Sequence, residues 1–327
     1  MCLVDRRTAG VAAALAAVYL VWGSTYLGIA LAIETLPPLS MAALRFLVAG
    51  ALLYAVARRF DGPAAVRPDR RQWLAAAVTG TFLLAIGNGG GSWAQQTVPS
   101  GVAALVIASI PLWIAVLGLA VFRERLSLLT ALGIGVGFAG VALLVNPVGS
   151  GSVDPVGGLV LLAAAAGWSV GTLLSRGTRL TVSPLVGAGM QMLCGGVVLA
   201  AAAVLTGELA EIRPAEASLR SIGALLYLIL FGSIVAFSAY VWLLRNAATS
   251  LVSTYAYVNP VVAVLLGRLV LGEPITARTL VAGGMVLAAV ALIVSARPAS
   301  PERRGSTRRA ARPTVDRSRA AAAIRGR

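Results

Sequence analysis

Read for its hydrophobic and polar positions, the chain is a succession of long apolar runs separated by short polar breaks. Leu128 to Val145 and Pro184 to Thr206 carry no charged residue at all. An apolar run of ~18 or more residues is long enough to cross the ~30 Å hydrocarbon layer as a helix. Lipid offers the backbone no hydrogen-bond partner, so a spanning segment must be a helix or part of a closed barrel. The runs are continuous rather than alternating, which selects helices. They predict ten spans, at 9–33, 38–57, 73–95, 99–122, 127–146, 155–175, 184–206, 218–243, 249–271 and 276–295. The breaks carry turn residues, among them Pro37-Pro38, Pro63, Pro68, Pro99, Asn146-Pro147, Pro184, Pro214 and Pro274. The expected fold is an all-α integral membrane protein.

An internal repeat organises these spans. Shifting the sequence by 149 residues lays Trp93 on Trp242, Pro111 on Pro260, Gly118 on Gly267, Glu124 on Glu273, Thr130 on Thr279 and Gly135 on Gly284. Between residues 111 and 145, 12 of 35 positions match without a gap. Biased composition inflates matches of Ala, Leu, Val and Gly, but not those of Pro, Glu, Thr and Trp. Each unit holds five spans, an odd number, so the second copy must enter the membrane upside down. The expected domains are a first repeat at 9–146, a second at 155–295 and a tail at 298–327. Inverted repeats recur in secondary transporters, with the solute site between the halves near the midplane.

Charge adds the orientation. The chain has 327 residues, 12% of them charged, a mean hydropathy of +0.88 and a net charge of +15. That net charge resembles a nucleic-acid signal, but its distribution argues for none. All 27 basic residues are Arg, and with both termini in the cytoplasm 22 fall on the cytoplasmic side and four on the other. This is the positive-inside bias. The Arg-rich tail has no apolar face and is expected to be disordered. Arg6 and Arg7 precede a run too long for a cleaved signal peptide. Cys2 and Cys194 have neither metal-ligand spacing nor an obvious disulfide partner, and no cofactor motif is present.

Several stretches then point to a family. Trp22-Gly23-Ser24-Thr25-Tyr26, Pro37-Pro38, Arg45-Phe46, Pro99-Ser100-Gly101 and Ser253 to Val261 (STYAYVNPV) resemble the EamA family of the drug/metabolite transporter superfamily, and its YedA type in particular. The likeness covers nearly all of residues 10 to 296. It implies ten helices, two EamA repeats, and export or exchange of small metabolites or drugs by alternating access.

Polar residues inside spans are costly and therefore candidates for the solute path. Trp22, Ser24 and Tyr26 lie in the first span; Trp168 in the sixth, after Gly167, is a half-matched counterpart. Asn88 precedes Gly89 and Gly90 in the third span, where consecutive glycines permit either a hinge or tight packing. Tyr255 and Asn259 are four apart on one helix face, before Pro260, which frees a carbonyl one turn earlier; Tyr240 in the eighth span is a further candidate. The alternative reading is interfacial anchoring or small-residue packing for Trp22, Ser24, Tyr26 and Trp168, with the mid-span place of Trp22 against anchoring. It is tight helix packing for Asn88, and core packing for Tyr255 and Asn259. Arg45 lies about seven residues into its span, ~10 Å deep; it either binds an anionic group of the solute or plays a structural part, and the family likeness favours the latter. Glu124 and Glu273, at the ends of the fourth and ninth spans, read as charge-paired helix ends, and Pro111 and Pro260 as structural or gating positions.

No P-loop, catalytic carboxylate pair or nucleophile–base pair is present, so an enzyme is not expected. No span carries a carboxylate near its middle and there is no His, so proton coupling has no evident residue. The expectation is a multi-pass cell-membrane transporter, monomer or homodimer, that moves small solutes such as metabolites, amino acids or drugs outward. Its partners are that solute and the lipid bilayer, its mode is facilitated or exchange transport, and no nucleic acid is expected. A non-transporting membrane receptor or scaffold is the alternative.

Overall fold

The computed structural model describes residues 2–61, 67–123, 127–146, 153–177 and 182–296. Among these, ten apolar helices follow one another and no strand occurs. We number them α1 (Thr8–Ala32), α2 (Pro38–Phe60), α3 (Arg70–Ala94), α4 (Ser100–Val121), α5 (Leu128–Val145), α6 (Pro155–Ser175), α7 (Pro184–Leu205), α8 (Leu219–Asn246), α9 (Tyr255–Leu271) and α10 (Ala277–Ser295). Nine are at least 18 residues long; α9 is the shorter one. Two inverted five-helix repeats, α1–α5 and α6–α10, account for the order. The face where α1 starts and α10 ends is called the terminal face below, and the opposite one the distal face. Glu124 and the tail from 298 lie outside the described residues.

Two large apolar cores hold the bundle, with two smaller clusters, one around Val186 and Met190 and one around Val18 and Leu243. One large core joins α1, α2, α3, α7 and α8 through Phe46, Leu53, Met192, Leu199 and Leu228. The other joins the end of α3 to α4, α5, α6 and α10 through Leu105, Leu112, Leu144, Leu161 and Val286, with α9 packed on it. Between membrane helices the hydrophobic effect gives little, so close approach through small residues does the work. The α2–α7 pair shows this: a Cβ on Gly50 would lie 2.8 Å from Met192 Cβ, and one on Gly189 2.8 Å from the Tyr54 nitrogen.

The helices are not regular, and the irregularities follow the repeat. The segments Thr81–Gly89 in α3 and Leu228–Val235 in α8, which the 149-residue offset nearly superposes, are wide π-helical turns. A third, Val18–Trp22, lies in α1. Such turns leave backbone groups less regularly paired and are frequent at functional sites. The fourth predicted span is broken at Ala108–Ser109, two residues before Pro111. The ninth, predicted as 249–271, is split: a short turn Thr249–Val252, a break at Ser253–Thr254, then α9 running unbroken through Pro260.

Candidate functional site

The wide turn Val18–Trp22 aims the Trp22 ring across α1 toward α8 and α9. Its indole N–H donates to the Gly232 carbonyl at 3.1 Å, inside the wide turn of α8. The ring meets Tyr240 at 5.2 Å between centroids and Tyr255 edge-on at 5.3 Å. Tyr240 and Tyr255 close the triangle at 5.7 Å and 86°. Edge-to-face rings at these spacings attract beyond their buried area. Tyr19 and Thr254 share a hydrogen bond between hydroxyls beside this cage. The triangle thus ties three helices, α1, α8 and α9, with α9 entering directly after its break.

One turn deeper along α9 sits Asn259. It is 8% exposed, and its Oδ1 has no hydrogen-bond partner. Leaving a buried acceptor unpaired costs ~1–3 kcal/mol, so it marks a place where another polar group belongs. The buried Oγ of Ser109, at the break of α4, is unpaired in the same way. Gly23 lets α1 reach α9 here: a Cβ on it would lie 2.6 Å from Val262 Cβ and 3.2 Å from the Asn259 carbonyl oxygen.

The other predicted residues divide between this neighbourhood and elsewhere. Ser24 Oγ donates to Leu20 O at 2.6 Å and shares a hydrogen bond with the Tyr227 hydroxyl, which stacks on Phe231. Tyr26 packs on the core that carries α4, α9 and α10. Trp168 stands apart, in the other core, where a Cβ on Gly87 would come within 2.9 Å of its ring. Asn88 is half-buried in the wide turn of α3. Of the glycines after it, Gly89 faces Leu199 of α7 so closely that a Cβ would overlap that side chain, while Gly90 makes ordinary contact. Pro111 opens the second segment of α4, and Ser169 Oγ donates to the Ile110 carbonyl at 3.1 Å.

Arg45 does not reach for the lipid surface. It is 5% exposed, its Nε donates to Ser233 Oγ at 2.9 Å, and its guanidinium carbon lies 4.8 Å over the Phe46 ring. It therefore joins α2 to the wide turn of α8. Glu273 is not charge-paired among the described residues. Its two oxygens accept the N–H groups of Ser100 and Gly101 at 2.6 and 3.0 Å, at the start of α4. Glu208 accepts two N–H groups through a single oxygen, Oε2, from Leu39 and Ser40 at the start of α2, at 2.8 and 3.0 Å. Sequence reasoning missed Tyr19, Tyr227, Ser233, Thr254 and Glu208. Tyr19 lies just before one quoted motif and Thr254 inside another, but nothing in one sequence reveals that they meet.

Ten apolar helices in two inverted repeats, with interrupted helices meeting at a polar and aromatic crossing, define a multi-pass membrane transporter. The chain belongs to the EamA-like transporter family, whose model matches residues 8–146 and 155–295. It is 40% identical over 292 residues to the uncharacterized inner membrane transporter YedA of Escherichia coli (strain K12), covering 88% of this chain and 92% of that one. A chloroplastic WAT1-related protein of Arabidopsis thaliana is 26% identical over 83% of this chain and 66% of its own length. An uncharacterized transporter of Archaeoglobus fulgidus is 24% identical over 84% of this chain and 95% of its own. One solved crystal structure, 22% identical, matches with a TM-score of 0.59 over 87% of this chain and 96% of that one, a likeness of fold.

Proposed function

We propose that this chain is a secondary transporter that carries small metabolites, amino acids or drugs out across the cell (inner) membrane by alternating access. Its repeats are taken as 9–146 and 155–295, and its terminal face as cytoplasmic, which the 22-to-four distribution of Arg supports. The observation that carries the reading is the unpaired, buried Asn259 Oδ1 one turn beyond the Trp22–Tyr240–Tyr255 triangle. A solute that sheds water needs replacement hydrogen bonds and a surface for its apolar part, and this crossing offers both. Ser24, Tyr26 and Ser109 extend it, and Asn88 and Trp168 border the path from α3 and α6. Arg45, Gly89, Gly90, Pro111, Pro260 and Glu273 set helix positions. The mode is facilitated or exchange transport, since no described span carries a carboxylate in its middle. The activity is transport, not catalysis.

The test is solute counterflow by purified protein in liposomes, screened over amino acids, sugars and amphipathic dyes. The expected result is saturable flux of at least one class, lowered about tenfold or more in Tyr255→Ala and Asn259→Ala while both variants still insert and fold. No flux for any class would leave a non-transporting receptor or scaffold. Concentrative uptake driven by a pH gradient would overturn the facilitated or exchange mode.

A further inference from the structure

The chain uses two carboxylates to cap the start of another helix, and the two differ in what they join. Glu208 lies just past α7, is 7% exposed, and caps the start of α2. The α2 and α7 helices are continuous and interlock through Gly50 and Gly189. Glu273 lies just past α9 and caps the start of α4. Here the chain is interrupted on both sides, at Ala108–Ser109 within α4 and at Ser253–Thr254 before α9. One cap therefore joins two rigid rods, and the other joins two jointed ones.

The α4–α9 contact is made by glycine and completed by the carboxylate. A Cβ on Gly101 would lie 3.1 Å from Val264 Cα; one on Gly267 would overlap the Glu273 carboxylate and lie 2.9 Å from Ser100 Oγ. Gly272, at φ +68°, turns the chain after α9, a conformation that L side chains rarely adopt. The turn brings the next residue, Glu273, back over the contact. The first N–H groups of a helix have no partner of their own and carry partial positive charge. Pro99, before Ser100, provides no side-chain cap, so the Glu273 carboxylate is the group that meets these N–H groups. Ser100 Oγ is buried without a partner beside it.

We propose that Glu273 is the positioning residue of a gate at the distal face. Its carboxylate holds α4 on α9 while the transporter is closed there, and releases the α4 N–H groups when that end opens. Glu208 also holds two N–H groups, through one oxygen, in a pair that stays together. This rests on the alternating-access reading above, and the test separates the two.

The full-length protein, with Cys2→Ser and Cys194→Ala, carries spin labels on cysteines placed at the exposed positions Gln96 and Ala277 of the distal face. Distances between the labels are measured by pulsed electron paramagnetic resonance in lipid nanodiscs. Glu273→Gln keeps the shape but turns an amide donor toward an N–H donor. It is expected to raise the ratio of long to short distances about tenfold, the size set by losing a hydrogen bond to a charged group. Ser100→Pro removes the donor of the shorter bond instead. Pro99, at ψ 143°, already has the extended conformation required before proline, and proline is tolerated in the first turn of a helix. This variant is expected to shift the ratio in the same direction, and it reads the same bond if Glu273→Gln fails to fold. Glu208→Gln is expected to lower the melting temperature and leave the distances unchanged. The gate is overturned if Glu273→Gln and Ser100→Pro leave the distances unchanged, as Glu208→Gln does. A shifted ratio without flux of any solute would keep the gate and reject the transport reading; flux with unshifted ratios would do the reverse.

Discussion

The two faces of the bundle are held together differently. On the distal face, side chains of one helix satisfy the backbone ends of another. Glu208 caps α2 and Glu273 caps α4. Arg278 of α10 donates to the carbonyls of Leu143 and Leu144 at 2.6 and 3.3 Å, and to that of Asn146, at the end of α5. Ser221 Oγ of α8 donates to Leu31 O of α1 at 2.8 Å. On the terminal face, the described caps are local: Asp69 with Gln72 on α3, Ser127 on α5, Ser183 on α7. What crosses between helices in that half is the aromatic Tyr54–Trp73 pair at 5.8 Å and the triangle around Trp22, together with side-chain hydrogen bonds away from the helix ends, Tyr19 with Thr254 and Gln191 Nε2 to Thr79 Oγ1 at 2.9 Å. Directional bonds to helix ends break when helices part, whereas apolar contacts are non-directional and allow sliding. Parting the helices at the distal face therefore breaks bonds to helix ends that parting them at the terminal face does not.

Substitutions that break this contrast should rank accordingly. Glu208→Ala removes two charge-assisted bonds from a buried carboxylate and should cost about 3 kcal/mol, read as the largest drop in thermal stability of the set in detergent. Asn259→Ala should cut flux about tenfold, equivalent to ~1.4 kcal/mol. Its thermal stability should hold or rise, because an unpaired buried acceptor is removed. A matched fall in flux and stability would make Asn259 a packing residue instead. Asp69→Ala removes a cap within one helix of the terminal face and should cost ~1 kcal/mol, with flux unchanged. Arg220→Ala breaks the exposed 3.3 Å pair with Glu34. Exposed pairs are worth only about 0–1 kcal/mol, so its melting curve should overlay that of the wild type.

Much of the architecture was legible because membrane spans are written as composition. An uncharged run such as Leu128 to Val145 needs no partner to be read as a helix. The five-span repeat was legible through residues that biased composition does not multiply, Pro111 with Pro260 and Trp93 with Trp242. The breaks at Ala108–Ser109 and Ser253–Thr254 were not, since each falls on one or two small hydroxyl residues inside an uncharged stretch, and such residues occur within helices as well. Of the aromatic candidates, Trp22, Tyr240 and Tyr255 meet and Trp168 does not. The repeat pairs helices but not side chains: the offset sets Tyr240, Tyr255 and Asn259 against Gly91, Val106 and Ile110. Glu273 read as a helix end paired with charge because its partners are backbone N–H groups of a helix 172 residues away, which carry no sequence identity. Glu208 went unseen for the same reason.

The claim that a closed distal face and an opening terminal face enclose the Asn259 crossing can be read from which side water reaches it. A cysteine is placed at position 259 in protein lacking Cys2 and Cys194, inserted in sealed vesicles of known orientation, and treated with a membrane-impermeant thiol reagent from one side at a time. Labelling from the terminal side, little from the distal side, and a gain of distal labelling on adding Glu273→Gln is the predicted result. Labelling from the distal side alone, or equal labelling from both sides before Glu273 is changed, would contradict it.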